Sequence, residues 1–321
     1  MLPTIRTFRN TDVAAICKVW NAHYGDLGAN CQLTPLQLEL STLAKPYFEA
    51  QELLVAEYDE QVIGFLHMGP VPNSDLSDIR DRVAAIAALC IVPCNEETLA
   101  ARLLLQRAEA LLAQRGVMGC SFKPLAPTCP FYQGFGPADS MIGATTSERR
   151  GCDWIRAAGF TPSQPTTQWE LDLGRYQPPI DRVQIQIRRG STVERLADEP
   201  TMPWWQACWL GHMEPLQFEL KHRTLGQTIC VALFWTVAME LQTSPDSIAW
   251  LWTPAVPPEE QGGASLTFLL GEACRQLQAE RVDLIRTVTS ASDTRIHAIL
   301  RRLSFTSEQS GVVFEKQLAS A

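Results

Sequence analysis

The sequence predicts an α/β protein in which one mixed unit of strands and helices occurs twice. Three observations lead to this fold class. A β-hairpin, an apolar strand ended by proline, and a helix follow one another in both halves of the chain. Both halves then end with a short helix, a phenylalanine (Phe160 or Phe305) and a final strand. The length of 321 residues suits two domains of common size.

The predicted elements of the first half follow from periodicity and stop signals. Residues Asn10-Thr11-Asp12 can cap a helix that carries Ile16 and Trp20 on one face. Pro93 ends a continuous apolar strand, and leucines at helical spacing then run to Gly116. In order, we predict a strand (5–8), a helix from Val13, a helix (34–48), a hairpin (53–58 and 62–68), a strand (84–92), a helix (99–112) and a strand (117–122).

The second half repeats this order. Alternation of Val and Ile predicts a strand at 183–188, and Pro257-Pro258 ends the apolar strand. The elements that we predict are a strand (183–188), a Trp-rich helix (202–212), a hairpin (216–222 and 227–239), a strand (247–256), a helix (266–277) and a strand (282–289). The Trp-rich helix holds Trp204, Trp205 and Trp209, for which core packing is favoured over the lining of a substrate cleft.

The two copies differ in length and are joined by a stiff connector. The distance from the strand-ending proline to the phenylalanine is 67 residues in the first half and 48 in the second. We place the 19 additional residues in the Pro- and Gly-rich stretch 123–143. Pro178-Pro179 lies in the connector. The predicted domains are therefore 1–176 and 182–321, and one undivided α/β domain of another class is the alternative.

Composition excludes several classes of protein. Hydrophobic residues at 46% exclude a wholly disordered chain, and a net charge of −8 argues against duplex nucleic acid or a membrane surface as partner. No apolar run approaches the roughly 20 residues of a membrane span. The N-terminal segment lacks the apolar core of a signal peptide, so we expect a cytoplasmic protein. The ten cysteines form no C-x-x-C pair and the five histidines show no ligand spacing, which predicts reduced thiols and no metal site.

The hairpin, the strand–Pro–loop–helix and the Gly-Phe ending together resemble the GNAT acyl-CoA-dependent N-acyltransferases, present here in tandem. The resemblance covers about 1–174 and 182–318. It implies two GNAT-like domains, each with a twisted mixed sheet of six or seven strands flanked by helices. It also implies acetyl-CoA as co-substrate and a small-molecule or peptide amine as acceptor, with a homodimer left open.

The family signature, Q/R-x-x-G-x-G/A, places backbone N–H groups at a helix N-terminus around the coenzyme pyrophosphate. In this chain both copies of the signature are eroded. The second half reads Glu260-Gln261-Gly262-Gly263-Ala264-Ser265 and the first reads Asn95-Glu96-Glu97-Thr98-Leu99-Ala100. Since Glu96 and Glu97 would repel phosphate, the second half is the favoured coenzyme site. The resemblance assigns coenzyme binding to Thr253, Ala255, Val256, Gly262, Gly263, Ala264 and Ser265, with weaker candidates Leu89, Ile91, Thr98, Leu99 and Ala100.

In the family an amine attacks the thioester directly, a base accepts its proton, and a Tyr of the late helix protonates the departing thiolate. The corresponding positions here are Ile155 and Leu300, so the usual acid is missing from both halves. Weak catalytic candidates are Tyr132, His67, Glu240 and His297. For His67 and Glu240 a structural role is favoured, whereas Tyr132 is either part of a binding loop or part of a covering loop. His297 could replace the lost Tyr as acid, but a structural place on a charged and largely exposed helix is favoured.

The sequence therefore predicts an N-acyltransferase that transfers an acyl group, expected to be acetyl, to an unidentified amine. The alternative is a binding or scaffold protein that kept the fold and lost the chemistry.

Overall fold

The computed structural model describes residues 2–26, 32–134, 142–196, 202–237, 241, 246–252 and 263–318. These residues form two compact units. Unit 1 comprises 1–165, 202–212 and 310–321, and unit 2 comprises 166–201 and 213–309.

Unit 1 contains the elements predicted for the first half. Its strands are β1 (Thr4–Thr7), β2 (Leu53–Tyr58), β3 (Gln61–Pro72), β4 (Ile79–Ile91), β5 (Gly119–Phe122), β6 (Ala144–Thr145), the first residues of β7 (Thr161–Asp172) and most of β13 (Thr306–Gln317). Its helices are α1 (Val13–Asp26), α2 (Pro35–Leu38, continued by a π-helical turn, Glu39–Leu43), α3 (Glu97–Gln114), α4 (Arg149–Ala157) and, from the second half of the chain, α6 (Trp204–Trp209).

The sheet of unit 1 follows the order β1-β2-β3-β4-β5-β13, with β6 also paired to β13. The β4–β5 pair is parallel and the other recorded pairs are antiparallel. Helices α3 and α4 pack on one face of this sheet through residues such as Leu104, Leu105 and Ile155, which are at most 2% exposed. Successive side chains of a strand point to opposite faces, so Phe65, His67 and Cys90 face away from that cluster.

Unit 2 is built on the same plan. Its strands are β8 (Ser191–Arg195), β9 (Met213–His222), β10 (Thr228–Val237), β11 (Ile248–Trp252), β12 (Leu284–Ser290) and the later part of β7. Its helices are α5 (Arg182–Gly190), α7 (Ala264–Ala279) and α8 (Thr294–Arg302). The strand order is β7-β12-β11-β10-β9-β8, and β11–β12 is the parallel pair. Leucines of α7 and α8 bury against this sheet.

One predicted strand is wrong. Residues 183–188 form helix α5, and the first strand of unit 2 follows it at Ser191–Arg195. The Asp181 side chain accepts a hydrogen bond from the Gln184 backbone N–H at 2.9 Å, which caps the helix. The alternation of Val and Ile misled the prediction because Val183 and Ile185 lie on the exposed side of a helix, 47% and 42% exposed, instead of on one face of a strand.

The last strand of each half of the sequence belongs to the sheet that the other half forms. The chain's last strand, β13, pairs with β5 in unit 1 through Phe314 opposite Phe122. The last strand of the first half, β7, pairs with β12 in unit 2 through Trp169 opposite Thr287. Each unit thus completes its sheet with the other half's terminal strand. The sequence segments 1–176 and 182–321 remain our proposal for the duplicated unit, whereas the packed units do not follow them residue by residue.

The Trp-rich helix α6 packs in unit 1 as core. Trp205 and Trp209 are fully buried, and their indole N–H groups donate to the carbonyls of Pro127 and Cys129 at 2.8 and 2.9 Å. The Trp205 ring stacks on Tyr47 with centroids 4.5 Å apart. Trp204 is 41% exposed. Trp205 and Trp209 therefore pack in the core, as the sequence favoured, whereas Trp204 does not.

Candidate functional site

In unit 1 the site predicted from sequence lies where the parallel strands β4 and β5 part and helix α3 begins, and in unit 2 the described part of the predicted site is the start of helix α7. In unit 1, β4 pairs with β5 over residues 83–86, and the last bond runs from the Lys123 N–H to the Ile86 carbonyl at 2.9 Å. β4 continues to Ile91. A bulge at Ala87, between the pairs Met68–Ile86 and His67–Ala88, changes the direction of β4 at this point.

Side chains of unit 1 itself fill the space beside the parting strands. Lys123 lies directly after β5 and forms an ion pair with Glu148, with side chains only 4% and 7% exposed. The Lys123 ammonium also donates to the Tyr24 hydroxyl at 3.2 Å, and Glu148 accepts the Thr145 N–H at 3.1 Å. Lys123 takes a φ of 48°, which costs a non-glycine residue about 1–2 kcal/mol. These contacts therefore hold an otherwise unfavourable backbone in place.

The end of β4 is also covered. The His23 Nδ1 atom lies 3.1 Å from the Ile91 carbonyl oxygen and 3.4 Å from the Ile91 nitrogen. Burial lowers the pKa of His23, so this imidazole is held neutral. The resemblance expects pantetheine along this edge, at Leu89 and Ile91. In the structure both residues are buried, and a histidine of α1 contacts the Ile91 backbone.

The first turn of α3 already carries an anion. Glu97 is its first residue, and the Glu97 carboxylate accepts from Arg150 at 3.0 Å. The other weak candidates lie in the same turn, where Thr98 is exposed, Leu99 is half-buried and Ala100 is fully buried. A carboxylate in this turn interacts favourably with the positive end of the helix dipole, as a phosphate would.

Tyr132 and His67 meet inside unit 1. The Tyr132 hydroxyl lies 2.8 Å from the His67 Nδ1 atom, the Tyr132 ring stacks on Trp20 at 4.8 Å, and Phe131 stacks on His67 at 4.0 Å. Both Tyr132 and His67 are completely buried. Burial lowers the pKa of His67 to about 3 and raises that of Tyr132. The described part of the inserted stretch therefore packs Phe131 and Tyr132 inside unit 1.

In unit 2 the parallel strands pair over Ile248–Trp250 and Leu284–Arg286. One residue further, the Thr287 hydroxyl donates to the Leu251 carbonyl at 2.8 Å. Where β11 and β12 begin to separate, the Thr287 side chain of β12 is therefore the donor to β11, in place of a backbone N–H group.

Helix α7 follows this separation with a glycine at its N-cap. Gly263 has φ 66° and ψ 34°, a left-handed conformation that glycine adopts without steric cost. Ala264 and Ser265 begin the helix, and the Thr267 hydroxyl donates to the Gly263 carbonyl at 2.8 Å. No acidic residue lies in this first turn, in contrast to α3. The predicted residues Thr253, Ala255, Val256 and Gly262, and the candidate base Glu240, lie outside the described residues.

His297 belongs to a buried network in unit 2. Its Nε2 atom lies 2.8 Å from the Thr289 hydroxyl oxygen, which accepts the Trp169 indole N–H at 3.0 Å. The His297 and Trp169 ring centroids are 5.0 Å apart. Thr289 follows Thr287 by two residues on β12, so both side chains point to the same face. Helix α8 thus places His297 beside Thr289, near the C-terminal end of β12 and about one turn before Leu300.

Sequence reasoning missed the residues that fill unit 1. Lys123 and Glu148 are separated by 25 positions, and His23 and Ile91 by 68. No local pattern connects such residues. The one usable signal was the additional stretch 123–143 itself, since an insertion beside a predicted site is able to cover it. Burial also raises the pKa of the Cys90 thiol, so Cys90 is an inert core residue.

No protein-family model matches the sequence, and no curated protein matches it. Solved structures match its fold over nearly the whole chain. A tandem GNAT protein from the clavulanic acid biosynthesis pathway aligns over 99% of both chains, with TM-score 0.67 and 13% identity. A GCN5-related N-acetyltransferase from Sphaerobacter thermophilus aligns over 99% of this chain and 97% of its own, with TM-score 0.64 and 12% identity.

A third similar structure is the GCN5-related glucosamine N-acetyltransferase region of a fungal multi-domain GH3 β-N-acetylglucosaminidase. It covers 98% of this chain and 38% of its own, with TM-score 0.70 and 14% identity. At these identities the comparisons establish the fold. The chain has the tandem GNAT fold, which confirms the predicted fold class and the resemblance that the sequence motifs indicated.

Two further observations concern the described residues alone. None of their helices combines the length and the apolar character that crossing a membrane requires. They also contain no group of three or more His, Cys, Asp or Glu side chains arranged to hold a metal ion.

Proposed function

We propose that the protein is an acyl-CoA-dependent N-acyltransferase whose coenzyme site lies in unit 2. The observation that carries the proposal is the contrast between the two equivalent positions. In unit 1 a buried ion pair and a histidine occupy the space beside β4, and Glu97 lies in the first turn of α3. In unit 2 the first turn of α7 carries no acidic residue and follows a left-handed glycine.

The N-terminus of α7 supplies what a pyrophosphate requires. Backbone N–H groups of Gly263 and Ala264 lie at the positive end of a 16-residue helix, which is the end that attracts an anion. Glycine at the N-cap also lets a phosphate approach the backbone closely. The coenzyme supplies the thioester, and the acyl group that we expect is acetyl. The acceptor is a small-molecule or peptide amine.

The remaining steps need a base for the amine and a proton for the thiolate. We assign the second role to His297, which lies in the late helix one turn before Leu300 and is hydrogen-bonded to Thr289. In this assignment the Nε2–H group of His297 donates its proton to the Thr289 hydroxyl oxygen, and the Thr289 hydroxyl donates its own proton to the thiolate on the same face of β12. Substituting His297 by Gln should lower kcat by about 10²-fold or more, the usual contribution of a general acid. A Gln variant that keeps full kcat would remove His297 from the mechanism.

Isothermal titration with coenzyme A tests the site. We expect one coenzyme per chain. Gly263→Glu should abolish binding because it places a carboxylate and a strained φ at the helix N-cap, whereas the matched substitution Thr98→Glu in α3 should leave affinity unchanged. No binding to the wild-type protein at millimolar coenzyme would refute the proposal, and loss of binding in Thr98→Glu alone would move the site to unit 1.

The alternative is a protein that binds the coenzyme without transferring its acyl group. The observation that favours it is that Ile155 and Leu300, both fully buried apolar residues, stand where the resemblance expects the acidic Tyr. A panel of amines with a free-thiol assay distinguishes the two: thiol release with any amine supports transfer, and coenzyme binding without release supports the alternative.

A further inference from the structure

A groove of about 1100 Å³ lies in unit 1, with β5 and β13 as its floor and the loops 73–76 and 124–128 as its walls. It lies beside the first residues of β4, roughly 25 Å from the end of that strand at Ile91. We propose that this groove binds a short peptide in which a lysine side chain reaches Glu315 and an acidic side chain meets Arg80. Such a site belongs to unit 1 alone and does not depend on the coenzyme site proposed for unit 2.

The floor of the groove carries polar side chains that have no partner among the described residues. Ser121 and Glu315 are directly opposite each other on β5 and β13, a position in which Cβ atoms lie about 4.5–5.5 Å apart. Their side chains point away from the core cluster that contains Phe122 and Phe314. Ser121 is only 9% exposed, and within the described chain neither its hydroxyl nor the Glu315 carboxylate forms a hydrogen bond or an ion pair. A buried hydroxyl beside an unpaired carboxylate favours a ligand that donates, such as an ammonium group.

The next pair of residues on the floor leaves room for a ligand. Gly119 is opposite Gln317, and a Cβ atom built on Gly119 would meet only the Gln317 Oε1 atom, at 4.0 Å. Gln317 and Gln164 both line the groove, and the side-chain amide of neither forms a hydrogen bond with a described residue. Since an amide side chain both donates and accepts, two such side chains suit the N–H and C=O groups of a peptide.

One fully buried residue, Trp205, holds both walls of the groove in place. The Trp205 backbone N–H donates to the Leu76 carbonyl at 2.9 Å, and its indole N–H donates to the Pro127 carbonyl at 2.8 Å. Leu76 belongs to the loop between β3 and β4, Pro127 belongs to the stretch after β5, and both residues line the groove. Walls that are fixed before a ligand arrives lower the entropy that binding costs.

The rim of the groove is a bulge at the start of β4. A register shift between Pro70 and Pro72 of β3 gives β4 additional residues at this point, and Arg82 takes a φ of 58° there. Bulges of this kind change the direction in which side chains point. Arg80, Asp81 and Arg82 all line the groove, so its rim carries charges of both signs.

The charges of the groove together require a ligand that also carries both signs. The charged residues of the described chain that line it are Arg80, Asp81, Arg82, Glu315 and Lys316. Lys316 is paired with Glu109 of α3 at 2.6 Å, whereas the other four form no ion pair with a described residue. Asp81 and Arg82 are neighbours of opposite charge, which leaves Glu315 on the floor and Arg80 at the rim to contact the ligand. The volume exceeds the roughly 300–1,000 Å³ of small-molecule pockets and suits a peptide segment.

Fluorescence anisotropy with labelled synthetic peptides tests the site. The probes are acetylated and amidated alanine-based peptides that carry one lysine and one glutamate at a series of spacings. We expect the wild-type protein to bind at least one spacing, and replacing the lysine of that peptide by norleucine should weaken binding about tenfold, because a charge-assisted hydrogen bond to Glu315 is lost. Failure of every spacing to bind at millimolar peptide would overturn the proposal.

Variants of the floor locate the bound peptide. Glu315→Gln should weaken the lysine peptide about tenfold and leave the norleucine peptide unchanged. Gly119→Val should abolish binding of both, since its side chain fills the floor without meeting a neighbour closely. The matched control is Glu308→Gln, which alters an exposed carboxylate of the same strand outside the groove and should change neither affinity. If Glu315→Gln bound the lysine peptide as tightly as the wild-type protein does, the peptide would lie elsewhere and the proposal would be wrong.

Discussion

Breaking the ion pair between Lys123 and Glu148 should destabilise unit 1 strongly and in a non-additive manner. Both side chains are less than 8% exposed, so neither charge is solvated when its partner is removed. Leaving one buried charge unpaired costs about 3–5 kcal/mol, and we expect this for Lys123→Met and for Glu148→Leu. The hydrogen bonds to Tyr24 and Thr145 cannot neutralise the remaining charge.

The double variant should be much more stable than the sum of the single variants predicts. Replacing both charges with apolar side chains of similar volume removes the desolvation cost together with the attraction, so we expect a total loss of about 2 kcal/mol or less. The coupling free energy is then about 4 kcal/mol or more, larger than the roughly 0.5–3 kcal/mol that most double-mutant cycles give. The control is the exposed pair Arg156–Asp153 on α4, with side chains 53% and 73% exposed, whose disruption should cost less than about 0.5 kcal/mol.

Urea unfolding followed by circular dichroism measures these free energies. Hydrogen exchange at the amides of β5, a strand of unit 1, assigns the loss to that unit. Single variants that each cost less than 1 kcal/mol would refute the argument. Costs that simply add in the double variant would also refute it, since the two charges would then not depend on each other.

Three further predictions concern other buried groups. Lys45 donates to the carbonyls of Cys208 and Trp209 and lies 2.9 Å from the His212 Nδ1 atom; burial lowers the pKa of Lys45 to about 8. Because the unfolded chain holds this proton up to a pKa of about 10.4, stability should rise with pH between about 8 and 10, by roughly 3 kcal/mol at most. Lys45→Met should remove that rise, measured by urea unfolding across this pH range, and an unchanged slope would contradict the assignment. Tyr132→Phe should cost about 1–3 kcal/mol because it removes the hydrogen bond to the Nδ1 atom of a fully buried imidazole; a thermal unfolding midpoint equal to that of the wild type would argue against it. Gly263→Ala should cost about 1–2 kcal/mol because φ is 66° there, whereas Gly151→Ala in α4 meets no atom within 4 Å and should be tolerated, as chemical denaturation of both variants can show.

The sequence predicted most elements because each carries its own local signal. The hairpin at 53–68 has alternating apolar residues around a polar turn, and helices α3 and α7 repeat leucine at helical spacing. These signals depend on residues a few positions apart. Residues 183–188 misled the prediction because an alternating pattern also suits a short, mostly exposed helix when an aspartate caps it.

The candidate site was predicted less completely. Gly263 could be singled out because a glycine before an apolar helix is a local feature, and the structure gives it the left-handed backbone that glycine favours. Lys123, Glu148, His23 and Thr289 could not be singled out, since each acquires its role from a partner on another element. The choice between the two copies of the site depended on such partners.

The sequence by itself determined that the chain repeats one mixed unit, where its strands and helices lie, and that neither copy keeps an intact coenzyme signature. Only the tertiary structure decided which strands complete each sheet, with β13 beside β5 and β7 beside β12. It also placed the buried Lys123–Glu148 pair and His23 beside β4 in unit 1. The physical reason is range: periodicity and capping act over a few residues, whereas strand pairing and burial join residues far apart in the chain, and their free energy depends on the whole packed unit.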